Sequence, residues 1–139
     1  GLGAPVGSVL VGDADTISRS RRWRKTFGGG MRQSGILAAA GIYALENNIE
    51  RLSEDHIRAS RLAESINAMD SFSVKLEGVQ SNMVYVQCME ESASEVARRL
   101  AEQGVDVSVE TDSIVRAVVH LHVTDEDIST AIGAFEKSQ

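Results

Sequence analysis

The sequence is poor in cysteine and in long apolar runs, and both absences narrow the class of protein. Among its 139 residues only Cys88 is a cysteine, so no disulfide can form within the chain. A single thiol is typical of a reducing compartment, and we expect a cytoplasmic location. No apolar run approaches the roughly 20 residues that a membrane-spanning helix needs.

The start of the chain lacks the features of a protein's beginning. It has no initiator methionine, and no charged segment leads into an apolar one as in a secretory signal peptide. We therefore expect no signal peptide, and we expect the segment Gly1–Pro5 to come from the middle of a longer protein.

Acidic residues are missing from one stretch of an otherwise acidic chain. The net charge is −6, yet residues 19–32 carry six cations and no anion, whereas residues 33–139 carry eight cations and eighteen anions. A nucleic-acid-binding protein is usually basic over a whole face. One basic stretch instead favours a small anion or an intersubunit contact over a polymer.

The basic stretch also contains three consecutive glycines, Gly28–Gly30, with Lys25 before them and Arg32 after them. Glycine lets the backbone approach a ligand closely, and cationic side chains bind phosphate or carboxylate. We predict an anion site built from two helix ends and a glycine turn. A solvated helix with a flexible end is the alternative, because glycine-rich matches are weak without structural context.

The first third of the chain is predicted to contain one strand and two helices. The apolar run at residues 6–12, bounded by glycines, is typical of a buried strand. Asp13 or Asp15 is predicted to cap a helix that ends near Phe27, before the glycines.

A second helix is predicted from about Arg32 to Glu46. Its residues are apolar almost all round, which indicates a buried helix. Trp23 and Tyr43, one on each helix, are predicted to be packing residues.

A domain boundary is predicted near Asn47, giving domains 1–47 and 48–139. A long amphipathic helix, about Ile49 to Met69, follows the boundary with apolar residues every three to four positions. Ser53, Glu54 and Asp55 lie together on it and predict a solvated face.

The remainder of the chain is predicted to form a small α+β domain. Its elements are strands near residues 72–76, 83–88, 105–109 and 114–120, and helices near 92–102 and 124–136, capped by Ser92 and Thr124. We expect an antiparallel-rich sheet covered on one face by helices.

Arg116 is unusual because it interrupts an apolar strand. With a period of two it shares one face with Ile114, Val118 and His120. A buried guanidinium is costly unless it meets an anion, and its planar fork matches a carboxylate. We therefore interpret Arg116 as a carboxylate receptor, and the alternative is an edge-strand arginine with its head in water.

The histidines and the cysteine carry weaker signals. His56 is expected to be exposed on a helix, while His120 and His122 flank a strand end without an acidic or thiol partner that would complete a metal site. Structural roles are favoured for both, so no metal is predicted. Cys88 has no motif around it and is interpreted as a core thiol.

Several segments together resemble the L-threonine aldolase family: Gly1–Ser8, Arg22–Lys25, Gly28–Gly41 and the Ile114–Arg116 strand that leads to His120. They occur in the family's order along the whole chain. The resemblance implies an α/β chain that is the C-terminal part of a fold-type-I pyridoxal-phosphate enzyme of the aspartate aminotransferase-like type, with the end of the large domain at 1–47 and the small domain at 48–139.

The resemblance also implies an activity, the cleavage of threonine or allo-threonine to glycine and acetaldehyde by a lyase with the cofactor pyridoxal 5'-phosphate. In this family the lysine that carries the cofactor directly precedes the Gly-Leu-Gly block, so it would stand immediately before Gly1. No catalytic residue is then expected within the chain. The implied roles are substrate-carboxylate binding for Arg116 and cofactor binding for Arg32 and Lys25, with Arg32 near the cofactor phosphate and Lys25 near a neighbouring subunit's active site.

The implied assembly is a homotetramer of two catalytic dimers, in which Arg32 reaches the neighbouring subunit's active site. The expected partner is an amino-acid substrate, in glycine biosynthesis and threonine catabolism, with no nucleic acid and no membrane. Two alternatives stay open: another pyridoxal-phosphate reaction such as β-elimination, and a non-enzymatic anion-binding module. Stereopreference between threonine and allo-threonine stays open as well.

Overall fold

The computed structural model describes residues 1–6 and 8–139, which form two compact units. One unit comprises Leu2–Ile49, and the other comprises Glu50–Gln139 together with Gly1. The assignment of these parts to a large and a small enzyme domain stays a prediction. Among the helices of the described residues, none is both long and apolar enough to cross a membrane.

The first unit contains two helices, α1 (Ala14–Thr26) and α2 (Gly35–Asn47). The cap predicted for α1 is confirmed, since the side chain of Asp13 accepts a hydrogen bond from the Thr16 N–H at 2.8 Å. The predicted stop is confirmed too, because Gly28 adopts a φ of 82°, a conformation that glycine takes without a steric penalty. Local chemistry therefore determines both ends of α1.

The strand predicted at residues 6–12 is wrong for its described residues, 6 and 8–12; Gly7 lies outside the described part. These residues have no strand geometry, and Val9 and Val11 are each 82% exposed. A strand needs a neighbour to accept and donate its backbone hydrogen bonds. The described residues of this unit provide helices and no strand to pair with.

Helix α2 is exposed, which corrects the prediction that it is buried. Only Ala44 is buried on it, whereas Ile36 is 77% exposed. The helix also starts at Gly35 because residues 32–34 form a turn. A helix that is apolar on all sides is normally buried, but the described residues of its own unit bury little of α2.

Trp23 and Tyr43 are also exposed rather than packed, at 59% and 63%. Trp23 stacks on Phe27, with ring centroids 5.7 Å apart, and both rings face outward. Residue type alone therefore does not predict whether these two aromatic side chains are buried.

The second unit is an α+β fold, as predicted. Its elements are α3 (Leu52–Asn67), β1 (Phe72–Ser73), β2 (Met83–Cys88), α4 (Ala93–Glu102), β3 (Ser108–Thr111), β4 (Ile114–Val118) and α5 (Asp125–Glu136). The four strands have the order β1-β2-β4-β3, and every neighbouring pair is antiparallel. Strand β1 is shorter than predicted because a 3-10 helix (Leu76–Gly78) follows it.

The core lies on the face of the sheet that the helices cover. Alternate residues of β2 and β4 point into it, among them Val84, Val86 and Val115, which are fully buried. Phe72 and Phe135 meet edge to face with centroids 5.3 Å apart. The opposite face of the sheet carries the other alternate side chains and remains open within this unit.

One polar residue of α3 contradicts the predicted solvated face. Asp55 has no exposed surface, and Arg51 donates two hydrogen bonds to its carboxylate, at 2.5 and 3.1 Å. Because Arg51 lies four residues earlier, its side chain follows Asp55 to the interior and balances its charge.

Candidate functional site

Arg116 lies at the middle of β4, on the open face of the sheet. Its neighbours Val115 and Ala117 are buried on the helix-covered face, so Ile114, Arg116 and Val118 share the other face, as predicted. Because β4 is paired on both sides, Arg116 is not the edge-strand arginine of the alternative interpretation.

The neighbouring strands place two further residues beside Arg116. Tyr85 on β2 and Ser108 on β3 are its cross-strand partners. Residues directly opposite in an antiparallel pair lie about 5 Å apart at Cβ and point to the same face. Tyr85 and Ser108 therefore flank Arg116 on either side within the sheet.

The guanidinium of Arg116 is only partly satisfied. Its Nη1 lies 3.2 Å from Oε1 of Glu110, and about a third of each side chain is exposed. Its Nε is buried and has no hydrogen-bond partner in the part of the chain that the structure describes. A buried donor without a partner carries a desolvation cost, so a bound carboxylate would complete this site.

Glu110 reaches Arg116 from an irregular point of β3. The register of β3 against β4 shifts between Val109 and Thr111, which makes Glu110 the extra residue of a β-bulge. Bulges bend a strand and redirect a side chain, often next to a functional site. The strand predicted at 105–109 ends before Glu110, so the sequence pattern does not identify this residue.

A groove of about 370 Å³ lies on the open face, and two neighbours of Arg116, Tyr85 and Ile114, line it. It is lined by apolar and polar side chains from β1, β2, β4 and the segment between β1 and β2, including Val79, Met83, Tyr85, Gln87 and Ile114. Tyr85 and Ile114 belong both to the groove and to the surroundings of Arg116. A small organic molecule held by its carboxylate at Arg116 would therefore have an adjacent surface for its remaining atoms.

In the other unit, the glycine turn lies against the basic end of α1. A side-chain carbon placed on Gly30 would lie 2.8 Å from Cδ of Lys25, and one on Gly29 would lie 2.9 Å from Cγ of Arg24. Both distances are shorter than real Cβ contacts, so a side chain at either position would have to displace the side chain of Lys25 or Arg24. The turn and Lys25 thus form one local arrangement.

Within the described residues, the cations of this stretch have no acidic partner. In residues 1–6 and 8–139, no carboxylate lies within 4.0 Å of the charged nitrogens of Lys25 or Arg32. Arg32 is exposed in the turn that precedes α2. Lys25 and Arg32 have the charge that an anionic group needs, and the glycines leave the backbone accessible beside Lys25. Lys25 and Arg32 belong to one compact unit and Arg116 to the other.

The histidines form no metal centre in the described residues, where no group of three metal-ligating side chains occurs. The rings of His120 and His122 are 5.7 Å apart at their centroids, and the His122 N–H donates to Nδ1 of His120 at 3.3 Å. His56 is exposed, as predicted. His120 and His122 therefore contact each other in the short segment that follows β4.

Cys88 is buried in the core, which confirms the prediction of a core thiol. Burial raises the pKa of the Cys88 thiol above its ordinary value, because the charged thiolate is poorly solvated there. A thiol of this kind is a poor nucleophile.

Comparison with known proteins identifies the family to which the chain belongs. The model of the family described as beta-eliminating lyase matches residues 1–89. The chain is 46% identical over 129 residues to the low specificity L-threonine aldolase of Escherichia coli K12, covering 93% of this chain and 37% of that protein. The chain thus spans little more than a third of the length of this curated relative.

Solved structures share the fold. A Listeria monocytogenes protein named as a candidate L-allo-threonine aldolase superposes with a TM-score of 0.71 at 23% identity, over 100% of this chain and 42% of its own. A C-DES mutant with glycine covalently linked to its PLP cofactor superposes with a TM-score of 0.59 at 17% identity, over 73% of this chain and 28% of its own. The predicted fold class is therefore confirmed.

Proposed function

Because the chain belongs to the beta-eliminating lyase family, we propose that it is the C-terminal part of a longer pyridoxal-phosphate enzyme that cleaves threonine and allo-threonine. The products are glycine and acetaldehyde, which makes the enzyme an aldehyde-lyase. The single observation that carries the proposal is the sequence identity to the Escherichia coli threonine aldolase across nearly the whole chain.

In this proposal Arg116 binds the carboxylate of the amino-acid substrate. Its position inside an apolar strand and its buried Nε without a partner support this role. A carboxylate held by two parallel hydrogen bonds keeps a fixed orientation. A fixed carboxylate also fixes the orientation of the bond between Cα and Cβ, which must be aligned for efficient cleavage.

Lys25 and Arg32 are proposed to contact the phosphate of the cofactor, with Arg32 serving the active site of a neighbouring subunit. The glycine turn, which allows close backbone approach, supports this role. Pyridoxal phosphate supplies, when bound, the electron-accepting ring that the cleavage needs. The lysine that would carry it is expected immediately before Gly1.

The proposal extends to assembly and cellular role. We propose a homotetramer made of two catalytic dimers, in which each active site lies at a dimer interface. We also propose a cytoplasmic enzyme of threonine catabolism and glycine biosynthesis that binds neither nucleic acid nor membranes. The exposed apolar surface of α2 is consistent with a chain that packs against further protein.

The test is product analysis with the full-length protein that carries this chain, loaded with pyridoxal phosphate and given threonine. Cleavage between Cα and Cβ yields equal amounts of glycine and acetaldehyde, which is the expected result. Formation of ammonia and 2-oxobutanoate would instead mean β-elimination and would contradict the proposal. If the enzyme formed neither pair of products from threonine, the proposal would also be contradicted.

A further inference from the structure

The contact between Glu110 and Arg116 leaves most of the guanidinium available. Nη1 lies 3.2 Å from Oε1 of Glu110, and the buried Nε–H finds no acceptor among the described residues. A guanidinium has five N–H donors in a fixed plane. Glu110 therefore balances the charge from one side and leaves the donors of Nη2 and Nε without partners.

The bulge in β3 explains why the contact comes from the side. Ser108 is the β3 residue opposite Arg116, and its side chain is short and uncharged. The extra residue at 110 brings a longer acidic side chain back towards the guanidinium. A local irregularity of the backbone is thus linked to one specific ion pair.

We propose that Glu110 is a positioning residue, which holds the plane of the Arg116 guanidinium so that its remaining donors meet the carboxylate of the substrate. The inference rests on the proposed function, because it assigns a role at the same site. Without Glu110 the arginine side chain has several rotamers, and binding must restrict them. Restricting one flexible side chain corresponds to a loss of about two- to tenfold in affinity.

The test compares Glu110→Ala and Glu110→Gln in the full-length, cofactor-loaded enzyme. Two constants are measured: the KM for threonine, and the inhibition constant of 1-aminopropan-2-ol, which is threonine without its carboxylate. We expect Glu110→Ala to raise the KM about five-fold and to leave the inhibition constant unchanged. Glu110→Gln keeps an oxygen beside Nη1 but loses the charge, so its KM should lie between those of the wild type and the alanine variant.

Glu102→Gln is the matched control, because Glu102 forms an exposed ion pair with Arg98 on α4, away from the open face of the sheet. It should leave both constants unchanged. Circular dichroism checks folding, and if the alanine variant does not fold, the glutamine variant decides the question alone.

Two results would overturn the inference. The first is a KM for threonine that stays within about 1.5-fold in the folded Glu110 variants, below the effect of one ordered side chain. The second is an equal rise of both constants, which would mean general damage to the fold. If the wild-type enzyme itself yields no glycine from threonine, the proposed function fails, and that failure is separate from an unchanged KM in an active enzyme.

Discussion

Asp55 is fully buried in the first turn of α3, and Arg51 is the residue that balances its charge, with nitrogen–oxygen distances of 2.5 and 3.1 Å. Only 19% of the Arg51 side chain is exposed, so the pair is shielded from water. Such a pair adds little net stability compared with an apolar pair, but breaking it leaves an unbalanced buried charge. The consequence is a strong dependence of folding on Arg51.

We therefore predict that Arg51→Ala lowers the free energy of unfolding by about 3 kcal/mol. Urea denaturation followed by circular dichroism measures the change. Arg98→Ala is the matched control, because its partners Glu95 and Glu102 form exposed pairs and their loss should change little. Equal effects of the two substitutions would contradict the role given to the Arg51–Asp55 pair.

The N-terminus of α5 should make stability depend on pH in acid. The Thr124 N–H and hydroxyl donate to Asp127 at 2.8 and 2.7 Å, and these hydrogen bonds lower the pKa of Asp127 below its ordinary value of 3.8. Because the pKa is lower in the folded state, the stabilisation is present above the unfolded pKa and is lost as the pH falls through the folded one.

The stability difference between the wild type and Asp127→Asn should consequently be constant from about pH 7 to pH 5 and should shrink below about pH 4. Urea denaturation at a series of pH values measures it. Glu126→Gln removes a carboxylate from the same helical turn but outside the capping box. If the difference in the free energy of unfolding between the wild type and Asp127→Asn stayed unchanged in strong acid, the stabilisation assigned to the Asp127 carboxylate in the capping box would be contradicted.

Cys88 should react slowly with iodoacetamide while the protein is folded. Its side chain is buried and its pKa is raised, so both access and thiolate formation are limited. Mass spectrometry of the peptide containing Cys88 should find little alkylation at neutral pH without denaturant and complete alkylation in concentrated urea. Rapid alkylation of the native protein would mean that the thiol is accessible.

The elements that the sequence predicted best are those that local chemistry determines. Asp13, Ser92 and Thr124 each cap the helix predicted for them, because the side chain bonds to a backbone N–H only a few residues away. Strands β2 and β4 were recognisable for a similar reason, since alternation of apolar residues reports one buried face.

The features that the sequence did not predict depend on what lies elsewhere in the chain. The apolar run at 6–12 and helix α2 both have apolar surfaces of a kind that is usually buried. The spacing of apolar residues in the sequence does not show which other part of a protein covers them. Asp55 was misjudged because a charged residue is usually exposed, and only its pairing with Arg51 explains its burial. Glu110 was missed because a bulge has no reliable sequence signal.

The candidate site was predictable in part. The position of Arg116 in an apolar strand was visible from the sequence, and the structure places it on the open face beside a groove. The roles of Arg116, Lys25 and Arg32 stay predictions. Arg116 is the residue on which the proposed chemistry depends most, because it is the proposed contact to the substrate's carboxylate.

The most direct test is the kcat/KM for threonine of Arg116→Ala in the full-length, cofactor-loaded enzyme, with Arg98→Ala as the control for loss of a surface arginine. We predict a decrease of about 100-fold or more for Arg116→Ala, with a smaller decrease for Arg116→Lys, which keeps the charge and loses the planar fork. A kcat/KM for Arg116→Ala that stays within about twofold of the control would contradict the account, since a lost charge pair with the substrate costs far more.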